Sequence, residues 1–527
     1  MECGRGDNRW FTRWYISIKN LIKNDLFLFN HIIKMNDFYD DWISRNEYWF
    51  SQNDENDKYL SDKYGHLIDE YSYDNDIKPI LGILIYDQLT RHYYRNEYNN
   101  HILIYFNRKA LEIANKHKTE LFIKYLDITD WIFYMLVYRH SNIRENLLFV
   151  MNECWKIPVQ KSFIKATYTR ANFKEELEYY NYPAEFDRTI LDNNPSFEII
   201  NKQLYKIGKF ENLKNNNIII VSLSGGVDSV VCLYNIHNYY YKSNIKIVAI
   251  HINYNNRDEV DEEVKFLRSL CSHLDIDLYV RKINEINRHK CMINDLRDIY
   301  ETYTKKVRFN SYKKLQEGYE KSVVIMGHNK DDCFENILTN IAYNNKYENL
   351  IGIEYETLIN EIDFIRPLIE ISKDDIYKFA NKHNLPYLKN STPTWCQRGK
   401  IRNEVIPILE KWDNRIIDGL FNLSNRLRDY NEILNKLIET FKINEIGKLE
   451  TLNTSELYWK YGIFKLFNIY ISNKSLKSLI ERLELWKNKY ESIDINKKII
   501  IIINKNINMI IIKRTNNNYE YLLTKND

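Results

Sequence analysis

The chain has 527 residues, with 75 Lys and Arg against 72 Asp and Glu and a formal net charge of +3. This length predicts about three domains, and an apolar fraction of 44% with 28% charged residues excludes a wholly disordered chain. The longest apolar runs are far shorter than the roughly 18 residues that a membrane span needs. The amino-terminal residues lack an apolar signal segment, and seven scattered Cys without a C-x-x-C pair favour a reducing compartment. We therefore expect a cytoplasmic protein without a membrane partner.

Apolar residues at helical spacing dominate the first part of the chain. Those between Ile80 and Leu89 form one apolar face, and those from Ile102 to Ile113 form another. The spacing predicts an all-α amino-terminal domain over residues 1–205. The polar run Lys214–Asn217 is typical of a linker, so we expect a fragment that starts near Glu211 to fold on its own and to keep the function of the part that follows.

The pattern changes at Ile218, where strand-like and helix-like segments begin to alternate. Short apolar runs predict strands at Ile218–Leu223, Ile245–Ile252, Leu278–Ile283 and Ser322–Gly327. Helical spacing predicts helices that begin near Asp228, at Asp261–Leu274 and around Leu296–Gly318. This alternation predicts a doubly wound, parallel α/β sheet over residues 206–405, whose ligands bind at the carboxyl ends of the strands. Residues 406–527 are predicted to form a small, mainly helical domain that ends in an Ile-rich β-hairpin.

The strongest chemical signal lies between the first of these strands and the helix after it. It is the run Ser224-Gly225-Gly226-Val227-Asp228-Ser229. Two Gly let the backbone approach a phosphate and point its N–H groups inward, and the helix amino terminus attracts an anion. The run lacks the Gly-Lys-Ser/Thr ending of a Walker A loop. A capped turn without a ligand is the simpler alternative.

A second signal follows the strand that ends at Gly327. The next residues include His328, Asp331, Asp332 and Glu335, and a helix that begins near Asp331 would place all three acids on one face. Carboxylates at this spacing repel each other unless a cation lies among them, and Mg²⁺ on a pyrophosphate would be such a cation. A solvated acidic first turn, favoured by the helix dipole, is the alternative.

Together these runs resemble the PP-loop of the N-type ATP pyrophosphatases and, within that superfamily, the tRNA(Ile)-lysidine synthetases. Further segments between Ile218 and Glu410 carry the resemblance: His251-Ile252-Asn253, Arg366-Pro367-Leu368, Asn384-Leu385-Pro386-Tyr387 and Arg398–Pro407. The sequence departs from the family pattern at Tyr254, Gly399 and Asn390–Pro393. A multidomain fold is implied, with a PP-loop domain between a helical amino-terminal domain and a tRNA-contacting tail.

The resemblance implies an ATP- and Mg²⁺-dependent ligase in tRNA processing. ATP adenylates the C2 oxygen of the wobble cytidine in an isoleucine tRNA with a CAU anticodon, and the amine of free lysine then displaces AMP. The implied ATP-binding residues are Ser224, Gly225, Gly226, Val227, Asp228, Ser229 and His251. The implied catalytic residues are Asp228, Asp331, Asp332, Glu335 and His328. The implied Mg²⁺ ligands are Asp228 and Asp332, and the implied tRNA contacts are Arg308, Arg398, Lys400 and Arg402.

Two alternative functions stay open. Enzymes of tRNA 2-thiolation share the loop and the acidic run, although many of them need C-x-x-C pairs that this chain lacks. A binding protein that keeps the fold without catalysis is the other. The sequence leaves both a monomer and a homodimer open.

The amino-terminal region carries a resemblance of its own. The run Asp87-Gln88-Leu89-Thr90-Arg91-His92-Tyr93-Tyr94-Arg95, with His140-Ser141 downstream, resembles the D-Q-[FL]-x-R-x-x-[YF]-R signature of small helical bacterial proteins of unknown function. That family's helices are similar to tetratricopeptide helices. A plain i,i+4 ion pair between Asp87 and Arg91 is the simpler interpretation of the motif.

Overall fold

The structure is a computed structural model that describes residues 34–45, 53–70, 78–95, 100–119, 126–156, 161–172, 174–193, 207–256, 259–342, 351–389, 397–439, 445–448, 456–467, 469, 471–515 and 518–525. Two compact units are distinguished. The first comprises the described parts of Met1–Gly327, Glu356–Pro367 and Asp374–Ser391, and the second comprises those of His328–Tyr355, Leu368–Lys373 and Thr392–Asp527. Asn390–Pro393, one of the departures from the family pattern, lies outside the described residues.

The amino-terminal part of the first unit is helical, as the sequence predicts. Its helices are α1 (34–44), α2 (Asp54–Tyr64), α3 (Leu67–Glu70), α4 (Pro79–Ile83), α5 (Thr90–Tyr93), α6 (Asn100–Lys116), α7 (Ile128–His140), α8 (Arg144–Glu153) and α9 (Lys161–Arg170). A π-helical turn, Leu84–Leu89, joins α4 to α5. Helix α7 begins where the Asp127 side chain accepts hydrogen bonds from the backbone N–H groups of Thr129 and Asp130, and its residues from Trp131 to Arg139 are all buried.

The amino-terminal helices share one apolar core with the segment that follows β5. That core joins residues such as Trp131 and Tyr168 to an apolar group further along the chain, namely Ile283, Ile286, Cys291, Leu296, Ile299, Tyr300, Tyr303 and Val307. The predicted linker, Lys214–Asn217, is also packed against the rest of the first unit. Leu213, just before it, is fully buried, and the Asn217 N–H donates to the Lys321 carbonyl. The expectation of an independently folding fragment from Glu211 therefore disagrees with the packing.

The first unit contains a seven-stranded sheet in the order β1-β5-β4-β3-β6-β8-β7. Its strands are β1 (Glu178–Tyr180), β3 (Ile218–Ser222), β4 (Lys246–Asn253), β5 (Asp277–Lys282), β6 (Ser322–Ile325), β7 (Glu356–Ile359) and β8 (Ile362–Ile365). The five inner strands are parallel, and β1 and β7 pair antiparallel at the two edges. The predicted fold class is confirmed; β1, inside the region predicted to be helical, and the β7–β8 hairpin were not predicted.

Five helices and a short two-stranded ladder complete the α/β part of this unit. The helices are α10 (Val227–Tyr240), α11 (Val260–His273), α12 (Arg288–Ile293), α13 (Arg297–Gln316) and α15 (Lys373–Lys382, numbered after α14 of the second unit). The ladder pairs β2 (Leu191–Asn193) with β9 (Tyr387–Leu388). The strand β3 is buried along Ile218–Val221 because helices cover both faces of a parallel sheet.

The second unit is mainly helical and ends in a small antiparallel sheet. Its helices are α14 (Lys330–Ala342), α16 (Gln397–Lys400), α17 (Ile406–Trp412), α18 (Ile416–Glu439), α19 (Glu456–Phe467) and α20 (Asn473–Asn488), with a π-helical turn at Ile401–Val405. Its strands are β10 (Glu445–Lys448), β11 (Lys498–Asn504), β12 (Ile507–Thr515) and β13 (Asn518–Lys525). Strands β11 and β12 form the predicted Ile-rich hairpin. Within the described ranges, no helix combines the length and the apolar character needed to cross a bilayer.

Candidate active site

The predicted phosphate loop connects β3 to α10. Gly225 has a φ of +85°, a conformation that favours glycine. Gly226 is the N-cap of α10 without a side-chain cap, so the first N–H groups of the helix donate to no capping side chain. Asp228 is half-buried in the first turn of α10 and is not the N-cap. The loop therefore has the backbone geometry expected of an anion site at a helix amino terminus.

Ser229 organises the loop around its hydroxyl group. Its Oγ accepts hydrogen bonds from the N–H groups of Ser224 and Gly225, each at 3.2 Å, and donates to the Gly226 carbonyl at 2.9 Å. The two Ser hydroxyls also lie 3.1 Å apart. Ser229 is buried and Ser224 is exposed. Two backbone N–H groups thus converge on the Ser229 hydroxyl, which fixes the conformation of the loop in front of α10.

Two close approaches fix the loop against its neighbours in the first unit. A Cβ atom on Gly225 would lie 2.4 Å from Leu388 Cδ1, and the Leu388 N–H donates to the Gly225 carbonyl at 2.9 Å. A Cβ atom on Gly327, at the end of β6, would lie 3.0 Å from both the Asp228 carbonyl carbon and the Ser229 nitrogen. Sequence reasoning assigned no role to Leu388 and no packing role to Gly327. Both act through contacts between distant segments.

His251 lies beside the loop on β4 and is buried. Its Nδ1 is 2.9 Å from the Leu223 carbonyl oxygen, one residue before Ser224. A carbonyl oxygen only accepts, so Nδ1 carries the proton in this contact. The structure thus places the predicted nucleotide-binding histidine next to the loop, in the same unit.

The acidic run, defined as Asp331, Asp332 and Glu335, occupies the first two turns of α14 in the second unit. The Asn329 side chain accepts a hydrogen bond from the Asp332 N–H at 3.0 Å, and Asp332 Oδ2 accepts one from the Asn329 N–H at 3.1 Å, which is a reciprocal capping box. Asp331 Oδ2 accepts a hydrogen bond from the Lys373 N–H at 2.8 Å. Both aspartates therefore stabilise helix ends. His328 is half-buried just before this turn.

Arg402 supplies a cation to this run. Its Nε lies 2.7 Å from Glu335 Oε1, and its Nη2 lies 3.4 Å from Asp332 Oδ1. The Glu335 side chain is fully buried, whereas that of Arg402 is 31% exposed. The sequence predicts that these acids need a cation, and a guanidinium 67 residues further along the chain meets that need.

Mg²⁺ is the metal ion that the sequence predicts at this site. Among the described residues, no group of three or more His, Cys, Asp or Glu side chains is arranged to hold a metal ion. Mg²⁺ commonly needs only one or two carboxylates together with substrate phosphates. Asp228, half-buried beside the phosphate loop, fits that requirement. Asp332 fits it poorly, because its two oxygens already contact Arg402 and the Asn329 N–H.

The predicted tRNA contacts occupy different environments. Lys400 is exposed in α16, and Arg308 is half-buried on α13, with its guanidinium 6.0 Å from the Phe309 ring. Arg398 lies in α16, but its side chain is outside the described structure. Arg402 contacts the acidic run. Their role in RNA binding stays a prediction.

Comparison with known proteins supports the interpretation of the central part of the chain. Residues 198–409 match the PP-loop domain family. This part of the chain is therefore similar to PP-loop domains, in agreement with the parallel sheet and the loop at its strand ends.

The curated relatives indicate a narrower resemblance, to the tRNA(Ile)-lysidine synthases. The chain is similar to the tRNA(Ile)-lysidine synthase of Staphylococcus aureus strain MRSA252, with 27% identity over 237 residues, which are 44% of this chain and 53% of the relative. It is also similar to the tRNA(Ile)-lysidine synthases of Francisella tularensis subsp. novicida (28% identity over 45% of this chain and 57% of the relative) and Enterococcus faecalis (25% over 45% and 50%). The predicted resemblance to this family is confirmed. The chain spans about half the length of the curated relatives it matches.

One solved structure aligns with part of the chain. It is the U34-tRNA thiolase NcsA from Methanococcus maripaludis with its [4Fe-4S] cluster, at a TM-score of 0.33 and 19% identity, over 44% of this chain and 77% of that chain.

Proposed function

We propose that the protein is an ATP-dependent tRNA-modifying enzyme that joins lysine to the wobble cytidine of an isoleucine tRNA with a CAU anticodon. The C2 oxygen of the cytidine attacks the α-phosphate of ATP and pyrophosphate leaves. The amine of lysine then attacks C2, loses a proton to solvent, and AMP leaves. The observation that carries the proposal is the phosphate loop, with its left-handed Gly225 and the uncapped amino terminus of α10 after it, inside a region that matches the PP-loop domain family.

The loop residues are proposed to bind the phosphate groups of ATP. In the proposal, the N–H groups and hydroxyls of Ser224 to Ser229 hold the pyrophosphate portion of ATP, and His251 supports the loop through the Leu223 carbonyl. Donors fixed where charge develops on the phosphates stabilise the transition state without reorganisation. When bound, Mg²⁺ would neutralise charge on the phosphates, and Asp228 is the residue that would hold it.

The acidic run and His328 are proposed to act on the other reactants. His328, Asp331, Asp332 and Glu335 are proposed to act on the adenylate or to orient the incoming lysine. Arg402 lowers the electrostatic cost of keeping Glu335 charged in a buried position. The tRNA contacts are proposed to come from Arg308, Arg398 and Lys400.

A two-step assay tests the proposal. Pyrophosphate release from ATP is measured with and without an unmodified CAU-anticodon isoleucine tRNA and free lysine, and the tRNA nucleosides are then analysed by mass spectrometry. We expect release that depends on both the tRNA and lysine, together with the mass of lysidine in the product. A matched tRNA with a GAU anticodon is the control.

Other outcomes identify the alternatives. Pyrophosphate release that needs tRNA and a sulfur donor but ignores lysine would replace the proposal with tRNA thiolation. ATP binding without any turnover on tRNA would indicate a binding protein. Either result refutes lysine ligation.

A further inference from the structure

The amino-terminal module, defined as α1 to α9, contains a buried arginine without an acidic partner. Arg139 on α7 is 4% exposed. Its Nη1 donates a long hydrogen bond of 3.4 Å to Thr167 Oγ1, and its guanidinium carbon lies 5.0 Å from the Phe163 ring. Its Nε is buried without a hydrogen-bond partner. Within the described parts of the chain, Arg139 has no ion pair with a carboxylate.

Other polar side chains lie beside Arg139, and burial lowers the pKa of one of them, His140. The next residue, His140, has its Nδ1 2.8 Å from Asp87 Oδ2, and Arg91 Nη2 lies 3.0 Å from Asp87 Oδ1. Arg170 follows Thr167 by three residues on α9 and therefore occupies the same helix face. These contacts bring Arg91 and His140 to the Asp87 carboxylate, and the charges of Arg170, Asp87 and Arg91 all act on Arg139.

The Asp87 carboxylate is already occupied by other donors than Arg139 and Arg170. Its side chain is fully buried, and its two oxygens already accept hydrogen bonds from four side chains: those of Gln88, Arg91, Asn107 and His140. Burial alone would raise the pKa of Asp87, but His140 and Arg91 hold it well below its usual range. Asp87 is thus an anion committed to its own partners.

Keeping the Arg139 guanidinium charged in its buried position costs free energy. Burial, then the charge of Arg170 and lastly that of Arg91 lower the pKa of Arg139 to about 10 against the attraction of Asp87, so the guanidinium is still protonated at neutral pH. A buried charge without a counter-ion costs several kcal/mol. The cluster is open to solvent at one side, because the Arg91 side chain is 30% exposed and Arg170 is exposed.

We propose that Arg139, Arg91 and Arg170 form a binding site for a phosphate or phosphate-ester group in the amino-terminal module. Guanidinium groups present planar, forked donors that match the oxygens of phosphate, and such charge-assisted hydrogen bonds are stronger than neutral ones. The site is separate from the phosphate loop and does not depend on the function proposed above. It gives a role to the motif around Asp87, which positions Arg91 and His140.

The test uses the full chain with inorganic phosphate as the probe. Binding is followed by titration calorimetry and by the melting temperature, with ionic strength held constant by KCl. We expect Arg139→Met to weaken phosphate binding by about tenfold or more and to melt at a higher temperature than the unchanged protein when phosphate is absent. Arg108→Met, at an exposed position of α6, is the matched control and should change neither quantity.

Two further variants distinguish the arginine site from a folding defect and from the phosphate loop. Arg170→Met alters an exposed side chain, so it tests the site even if Arg139→Met does not fold; it should also weaken phosphate binding. Ser229→Ala affects the phosphate loop, and binding at the arginine site should persist in that variant. AMP is titrated in parallel: tighter binding of AMP than of phosphate identifies a nucleotide as the source of the phosphate group, and equal affinity identifies free phosphate.

Several results would overturn the proposal. Phosphate binding that is unchanged in both Arg139→Met and Arg170→Met is one of them. Binding that disappears only in Ser229→Ala is another, and so is the absence of any binding of phosphate and AMP. A loss of thermal stability in Arg139→Met together with unchanged phosphate affinity would assign Arg139 to packing against Phe163 alone.

Discussion

Replacing Arg402 with Met separates a structural role of this residue from its predicted contact with tRNA. The Arg402 guanidinium lies 2.7 Å from a Glu335 carboxylate that is fully buried. Removing one member of a buried ion pair destabilises a protein by roughly 3–5 kcal/mol. The Arg402 side chain is 31% exposed, so solvent screens part of the interaction and we expect the lower end, about 3 kcal/mol.

The assay is thermal and denaturant unfolding of the full chain. Combining Arg402→Met with Glu335→Gln should restore much of the stability, since the neutral amide removes the charge. Lys400→Met, at an exposed position nearby, is the matched control and should leave stability unchanged.

For tRNA binding, the expected effects of Arg402→Met and Lys400→Met are reversed. A contact with a phosphate should make affinity fall with salt, and its loss should reduce the slope of that dependence by about one. We expect that effect for Lys400→Met. If Arg402→Met instead kept its stability within about 0.5 kcal/mol and reduced the salt slope, the structural role of the ion pair would be refuted.

Four further predictions follow from the first unit. Asp228→Asn should leave the melting temperature unchanged while pyrophosphate release falls by about 10²-fold or more, as both are measured on one preparation; loss of both or of neither contradicts the proposed role. Gly225→Ala should cost about 1–3 kcal/mol in urea unfolding, because of its positive φ and the Leu388 contact. A fragment from Glu211 should be insoluble; a soluble, ATP-binding fragment would contradict the shared core. Burial lowers the pKa of His383, so stability should fall as the pH drops below about 6.5, and less steeply in His383→Leu.

The predicted strands agree with the structure because their sequence signal is local. The run Ile218–Leu223 is apolar on both faces and stops at Ser224, which is what a buried parallel strand before a tight loop requires. The turn at Asn384 could also be predicted from the sequence, because Asn384 stands where the family pattern has a glycine. Asn384 has a φ of +53°, and asparagine is one of the few residues that tolerate this conformation.

The features that were not predicted depend on contacts between distant segments. The edge strand β1 has only three residues, two of them exposed, so neither its length nor its apolar pattern distinguishes it from a loop. Arg402 was predicted to contact tRNA because it lies in Arg398–Pro407, a segment that carries the family resemblance. Its partner, Glu335, precedes it by 67 residues, and no spacing rule along one helix or strand could reveal that pair.

The position of α13 explains why the amino-terminal module cannot be treated as an addition to the PP-loop domain. Near the start of α13, Tyr303 packs edge-on against Tyr168 of α9, with ring centroids 5.1 Å apart. Nine residues later, the Tyr312 hydroxyl lies 2.8 Å from Ser222 Oγ, two residues before the phosphate loop. Arg281 on β5 forms a buried ion pair with Glu175, which lies between α9 and β1, with Nε 2.6 Å from Oε2. A fragment from Glu211, which lacks both the module and Glu175, would expose the apolar side of α13 and leave Arg281 with one of its acids missing, so the helix that supports the loop would lose its own support.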